Sequence, residues 1–149
     1  MDRLSVKKCI GIMSATLLVS MLAACGGSTE NAAKQEPPTP PDLTGEWKQT
    51  NSSSEDAWQS AEIAGDTIEV YWVSDNGETK ALYWAGTYTA PTTADEPYTW
   101  QSQNDKDKTG TALLASGDDE KKFSYVDGVL SYEVSAMGVT QTVKLEKEK

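Results

Sequence analysis

The chain has 149 residues, with 13 Lys and Arg against 23 Asp and Glu, no His and two Cys. Three basic groups and one acidic group fall in the first 24 residues, so the rest carries 10 against 22, a net charge of −12. That balance argues against a nucleic-acid binder, which needs a basic footprint, and against electrostatic attachment to anionic lipid. Without His, every mechanism that uses imidazole as base, nucleophile or metal ligand is closed.

In chain order, Arg3, Lys7 and Lys8 come first and form a basic head. An apolar run follows from Cys9 to Ala24, 16 residues long, short of the roughly 20 that cross a bilayer. Gly26 and Gly27 end it, with no basic stop-transfer cluster behind. Residues 1–24 are therefore predicted to be an export signal, the alternative being an uncleaved membrane anchor. The tetrad Leu22-Ala23-Ala24-Cys25 resembles the lipobox of bacterial lipoproteins: an aliphatic residue, two small residues and an obligatory Cys. The resemblance implies diacylglycerol transfer to the Cys25 thiol, then cleavage between Ala24 and Cys25. It also implies a lipid-anchored protein on the extracytoplasmic face of the cell membrane. Two acyl chains, at about 0.8 kcal/mol per buried methylene, hold a small domain stably. The alternative is a plain secretory signal with an incidental Cys. Cys9 leaves with the signal, so the mature chain keeps one acylated Cys and no disulfide.

Residues 25–42 are the lipidated N-terminus and a Pro-rich tether. Four of the five residues from Pro37 to Pro41 are proline, which stiffens the chain into polyproline II. Fully extended at about 3.3 Å per residue, residues 26–42 reach on the order of 50 Å. An SH3 ligand would also be Pro-rich, but SH3 partners are not expected in this setting.

Residues 43–149 hold all 12 aromatics of the chain. A domain of this size buries roughly 65% of its unfolded surface and can fold unaided. Its apolar pattern has period two. Leu43-Gly45-Trp47, Ala61-Ile63, Ile68-Val70-Trp72, Leu82-Trp84-Gly86-Tyr88, Tyr98-Trp100, Phe123-Tyr125, Leu130-Tyr132-Val134 and Val139-Gln141-Val143-Leu145 each alternate with polar or outward residues. That predicts about eight strands, each with one buried face. Gly65-Asp66, Asp75-Asn76-Gly77, Asp127-Gly128 and Met137-Gly138 punctuate them as hairpin turns. Residues 104–121 break the pattern and predict a long loop with a short helical turn or a stub of strand.

The hairpin 66–88 can be read to the residue. A three-residue Asp75-Asn76-Gly77 loop pairs Ser74 with Glu78, Val70 with Leu82 and Ile68 with Trp84. A two-residue Asn76-Gly77 turn would bury Glu69 or expose Trp84. The chosen register puts Trp72 and Trp84 inward, as the pattern does Trp47. It leaves Tyr71 and Tyr83 as diagonal neighbours on the opposite face. There they are the candidate ligand or partner contacts, a partly exposed aromatic platform for a glycan or a protein.

The expected fold is all-β, an eight-stranded antiparallel meander closing into a small calycin-like β-barrel, with a two-sheet β-sandwich as the alternative. Gly45-Glu46-Trp47 on the first strand is similar to the Gly-x-Trp start of lipocalins and other calycins. The GEWKQ start and the stretch from Asp66 to Gly86 resemble a group of small uncharacterised lipoproteins of Gram-positive bacteria, which brings no function with it.

Chemistry is sparse. There is no Gly-x-Ser-x-Gly elbow and no phosphate-loop or dinucleotide glycine pattern. Cys25 is expected to be acylated, and zinc is improbable without His or paired Cys. Asp105-Lys106-Asp107-Lys108-Thr109-Gly110 imitates the first half of an EF-hand loop, but Ser116 stands where a bidentate Glu is wanted. Lys106 and Lys108 add charge of the wrong sign, so a solvated loop is expected and no metal. Glycoside hydrolysis needs two carboxyls about 5–10 Å apart in a cleft. Glu62 and Glu69 are candidates in kind, but their alternation points them to solvent. No catalytic residue and no cofactor is assigned.

The expectation is a non-enzymatic, membrane-anchored lipoprotein that binds a glycan, a hydrophobic small molecule or an envelope protein, and no nucleic acid. The alternative is a structural or interaction accessory of the envelope, such as a phage-exclusion type factor; an envelope hydrolase comes last. The aromatics either fill the core or build a site. A hollow interior would indicate a ligand cavity, and a filled core with an exposed aromatic patch would indicate a partner surface.

Overall fold

The computed structural model describes residues 37–136 and 138–149, so the expected signal peptide, Cys25 and the start of the expected tether lie outside the described residues. Pro37–Pro40 are exposed and without regular structure. The chain is then pinned to the domain. The Asp42 carboxylate accepts from the Thr44 amide at 3.0 Å and hydroxyl at 2.7 Å. Leu43 is buried, and its carbonyl accepts from the Trp47 indole at 3.0 Å.

Eight strands follow: β1 (Gly45–Gln49), β2 (Trp58–Ala64), β3 (Thr67–Ser74), β4 (Thr79–Thr87), β5 (Tyr98–Gln103), β6 (Glu120–Val126), β7 (Val129–Ala136) and β8 (Val139–Lys147). Each holds one predicted period-two run, except that Leu43 falls before β1 and Tyr88 after β4. All neighbours are antiparallel, in one sheet of order β4-β3-β2-β1-β8-β7-β6-β5. β1 pairs with both β2 and β8, so the sequence ends meet inside the sheet and its edges fall on β4 and β5. The sheet curls until these edges almost join, a nearly closed barrel from a single sheet rather than a sandwich of two.

The seam between β4 and β5 is made by one bridge, Gly86 to Asn104, and by contacts around it. The Asp105 amide donates to the Ala85 carbonyl at 2.8 Å, and the Gln103 amide to the Thr87 hydroxyl at 2.9 Å. Only glycine fits at position 86, because a Cβ there would lie 2.4 Å from the Gln103 carbonyl and from the Ser102 hydroxyl. Higher on the seam the Ser116 amide donates to the Tyr83 carbonyl at 2.8 Å. The long β5–β6 loop thus covers an edge that would otherwise offer unpaired backbone groups.

That loop holds the expected helical turn, α1 (Lys106–Thr109). Asp105 does not wait for calcium; its carboxylate caps the turn by accepting from the Asp107 and Lys108 amides. Among the described residues no group of three or more acidic or Cys residues could hold a metal ion. No described helix is long and apolar enough to cross a membrane.

Rings fill the interior. Trp72 meets Tyr83 at 5.3 Å between centroids, Tyr83 meets Tyr132 at 6.2 Å, Tyr132 meets Phe123 at 5.1 Å, Phe123 meets Trp100 at 5.1 Å and Trp100 meets Tyr88 at 5.2 Å. Trp47 and Trp84 are buried as expected, and the Trp84 indole donates to the Ser102 hydroxyl at 2.9 Å.

The β3–β4 hairpin departs from its predicted register. Ser74 pairs with Thr79, so the loop has four residues, and Asp75, Asn76 and Gly77 all take positive φ. Asp and Asn tolerate that region better than other side chains. Between Val70 and Tyr71 the register shifts, and Val70 then pairs with Trp84 and Ile68 with Gly86. The expected Val70–Leu82 and Ile68–Trp84 pairs do not form. Tyr83 is the extra residue of a β-bulge, which turns two successive rings, Tyr83 and Trp84, toward the core.

Candidate functional site: an uncharged mouth opposite the tether

The up-and-down path sorts the connections into two ends. The start of β1, the end of β8, the turns at Gly65 and Gly128 and the segment 88–97 share one end. Loops 50–57, 75–78 and 104–119 and the β7–β8 connection at Gly138 share the other. The tether enters at the first end.

Four strands change character on their inner face as they approach the second end. β1 runs from Trp47 to Gln49, and β2 from Ile63 and Ala61 to Gln59. β8 runs from Leu145 and Val143 to Gln141, and β3 from Ile68 and Val70 to Trp72. The register sets Gln59 beside Trp72, and the β1–β2 pairing leads Gln49 to the same level, whereas Gln49 pairs with Leu145 on β8, so Gln141 stands four residues further toward the second end. The apolar wall ends in three glutamines and one indole.

Hydrogen bonds hold the rim. The Tyr132 hydroxyl donates to the Gln59 side-chain carbonyl and closes the floor. The Gln59 amide donates to Gln49 Oε1 at 2.8 Å, and Gln49 Nε2 to Asn51 Oδ1 at 3.2 Å. Asn51 Nδ2 donates to the Thr142 carbonyl at 2.8 Å, and its Oδ1 accepts from the Lys144 amide at 3.0 Å. Asn51 therefore stitches loop 50–57 to β8. Above this floor lies an open groove of about 540 Å³, bordered by Gln49, Asn51–Ser54, Ala57, Trp58, Trp72, Val73 and Gln141–Val143. None of its lining residues is charged.

Trp72 is the one inward Trp that is not buried. It is 37% exposed because it stands at the mouth rather than in the barrel, which corrects the expectation that it packs like Trp47 and Trp84. Its ring is oriented by the edge contact with Tyr83 and by an indole hydrogen bond to the Leu114 carbonyl at 3.3 Å. Leu113 and Leu114 on the β5–β6 loop and Val139 at the start of β8 are exposed apolar residues at the same end.

Tyr71 and Tyr83 do not form the expected outer platform. The bulge carries Tyr83 inward, where it is 6% exposed and stacks on Tyr132. Tyr71 stays half-buried on the outer face, and its hydroxyl donates to the Glu69 carboxylate. Glu69 also receives Lys108 Nζ at 2.5 Å. Burial first, and the Glu69 carboxylate second, push the Tyr71 phenol up to about 12. The Lys108 hydrogen bond first, then that of Tyr71, hold Glu69 below the usual carboxylate range. This trio latches α1 to β3. Glu62 pairs with Glu69 across β2 and β3 on the same outer face, where Lys108 neutralises Glu69.

A second polar cluster lies where the long loop returns to β6. Lys121 is buried, with its Nζ 3.0 Å from Asp118 and over the rings of Tyr83 and Trp84 at 5.2 and 5.3 Å. The Ser116 hydroxyl first, then Lys121, hold Asp118 below its ordinary value. Lys121 Nζ also donates to the Glu133 carbonyl at 3.4 Å, and Asp118 and Lys121 border an open groove of about 560 Å³ with Glu120, Lys122, Tyr132 and Glu133.

Gln49 and Gln59 were not singled out from the sequence. Their signal was a polar amide continuing a run of inward residues, and it becomes decisive only when neighbouring strands show it at the same level. Comparison of the chain with protein-family models, with curated proteins and with solved structures finds no match.

Proposed function

We propose that this chain is a membrane-anchored extracytoplasmic lipoprotein, held through acylated Cys25. Its β-domain is a non-catalytic binding module that meets its partner at the mouth opposite the tether. The observation that carries this reading is the path of the chain. The tether enters at one barrel end, and the uncharged groove with its exposed indole lies at the other. The segment from Pro37 to Thr44 enters the domain at the first end and does not border the groove. The ring-filled interior supports a contact at the rim over a hydrophobic ligand inside the barrel. The exposed Leu113, Leu114 and Val139 favour a second reading at the same end, an envelope accessory that docks another protein.

The test has two arms. Cys25→Ser should leave an unprocessed precursor or a released soluble form; a mature membrane-bound species of normal mass would overturn the anchor. Retention of the full-length chain on an isolated envelope fraction should fall for Trp72→Ala and for Gln141→Ala. Unchanged retention for both would remove the mouth from the proposal.

A further inference from the structure

We infer that the mouth groove is a binding site for a neutral saccharide. This rests on the mouth being the contact end, and it adds the class of ligand.

The argument runs by elimination over the lining. The chain has a net charge of −10, and 24% of its residues are charged, yet no Lys, Arg, Asp or Glu lines the groove. An anionic ligand would find no cation in the lining, Lys48 Nζ being stacked 4.1 Å over the Trp58 ring outside it, and an acidic protein around it. A cationic ligand would find no carboxylate in the lining, Glu55 and Asp56 being exposed outside it. An apolar ligand would strip water from the Gln141 amide and the exposed Ser53 and Ser54 hydroxyls without replacing their hydrogen bonds, at a cost for each group. A neutral molecule dense in hydroxyls meets none of these objections.

The positive features agree. A glutamine amide offers two donors and an acceptor from one planar group, which suits hydroxyls that both donate and accept. Among the described residues the Gln141 side chain makes no hydrogen bond, and the residue is exposed beside Trp72 in the lining. The Trp72 face carries the negative side of the ring quadrupole, to which the C–H face of a sugar ring presents weakly positive hydrogens. Tyr83 and the Leu114 carbonyl already hold that ring in place, so little freedom is lost on binding. At about 540 Å³ the groove has the size of a small-ligand site.

The experiment titrates the full-length lipoprotein in detergent with neutral tetrasaccharides of N-acetylglucosamine, glucose and mannose while Trp emission is followed. At least one should give a saturable change that is insensitive to salt. Trp72→Phe should abolish most of the signal. Gln141→Ala, an exposed change that spares the fold, should weaken binding about tenfold. Oligogalacturonate, the anionic comparator, should bind at least tenfold more weakly than the best neutral ligand. No response to any of the three neutral sugars, or a stronger response to the anionic one, overturns the inference. If envelope retention still depends on Trp72 and Gln141 in that case, the mouth remains the contact end and only the sugar is wrong. If retention is also insensitive, both fall together.

Discussion

The tether end and the mouth of this barrel are built from the same strands, and they use the inner face for opposite purposes. At the tether end Trp47, Ile63, Ile68 and Leu145 are buried with nothing polar between them. One or two inward positions further along, Gln49, Gln59, Trp72 and Gln141 stand at the rim. With no disulfide expected in the mature chain, burial of rings has to supply the stability, so the tether end cannot carry an open site. The mouth can, because the rings beneath it already close the core.

The largest effects should therefore come from the filled half. Trp47→Ala and Trp84→Ala should each cost about 3–5 kcal/mol, a large part of the roughly 5–15 kcal/mol such a domain holds. Trp72→Ala should cost clearly less, as its ring is partly in water. Chemical denaturation of the three variants measures the difference, and equal losses would erase the contrast between the two ends. Gly86→Ala comes next. The added methyl meets the Gln103 carbonyl and the Ser102 hydroxyl at 2.4 Å, so the β4–β5 seam must part at about 1–3 kcal/mol. Hydrogen exchange at Asn104 and Asp105 should rise with it.

Acid and alkali sharpen the comparison. Glu69 and Asp118 have lowered folded values. Their contribution is complete above the unfolded carboxyl value of about 4 and is lost as pH falls through the lower folded one. Tyr71 and Tyr88 are raised to about 12, both chiefly by burial. Their contribution is complete below about pH 10 and is lost as pH rises through the folded value. Melting temperature should thus fall at both extremes, and Tyr71→Phe should flatten the alkaline limb. The groove has no titrating group in its lining, so binding there should stay level from about pH 5 to pH 9. The smallest stability effect belongs to Gln141→Ala, within about 0.5 kcal/mol as for an ordinary surface change, although it removes a proposed contact.

Much of the architecture was legible because alternation is local. The run Leu130-Tyr132-Val134 declares its buried face without help, and Asp127-Gly128 declares its turn. The β3–β4 register was not legible. A bulge at Tyr83 and a fourth loop residue depend on where two rings find room, which is a property of the packed core. Trp72 was correctly placed on the inner face, but alternation cannot say how deep along the barrel a residue sits. The mouth was hidden for the same reason, since Gln141 was visible only as an inward residue, and its place four residues beyond the Leu145 that pairs with Gln49 follows from strand pairing.

The central claim is that the end opposite the tether is the working end. Hydroxyl-radical footprinting of the full-length chain, on native envelope vesicles and in detergent, tests it directly. The account predicts protection on the vesicles at Trp72, Leu113, Leu114 and Val139, with Val126 at the tether end unchanged. Protection confined to Val126 and the neighbouring turn, or absent from the mouth residues, would contradict it.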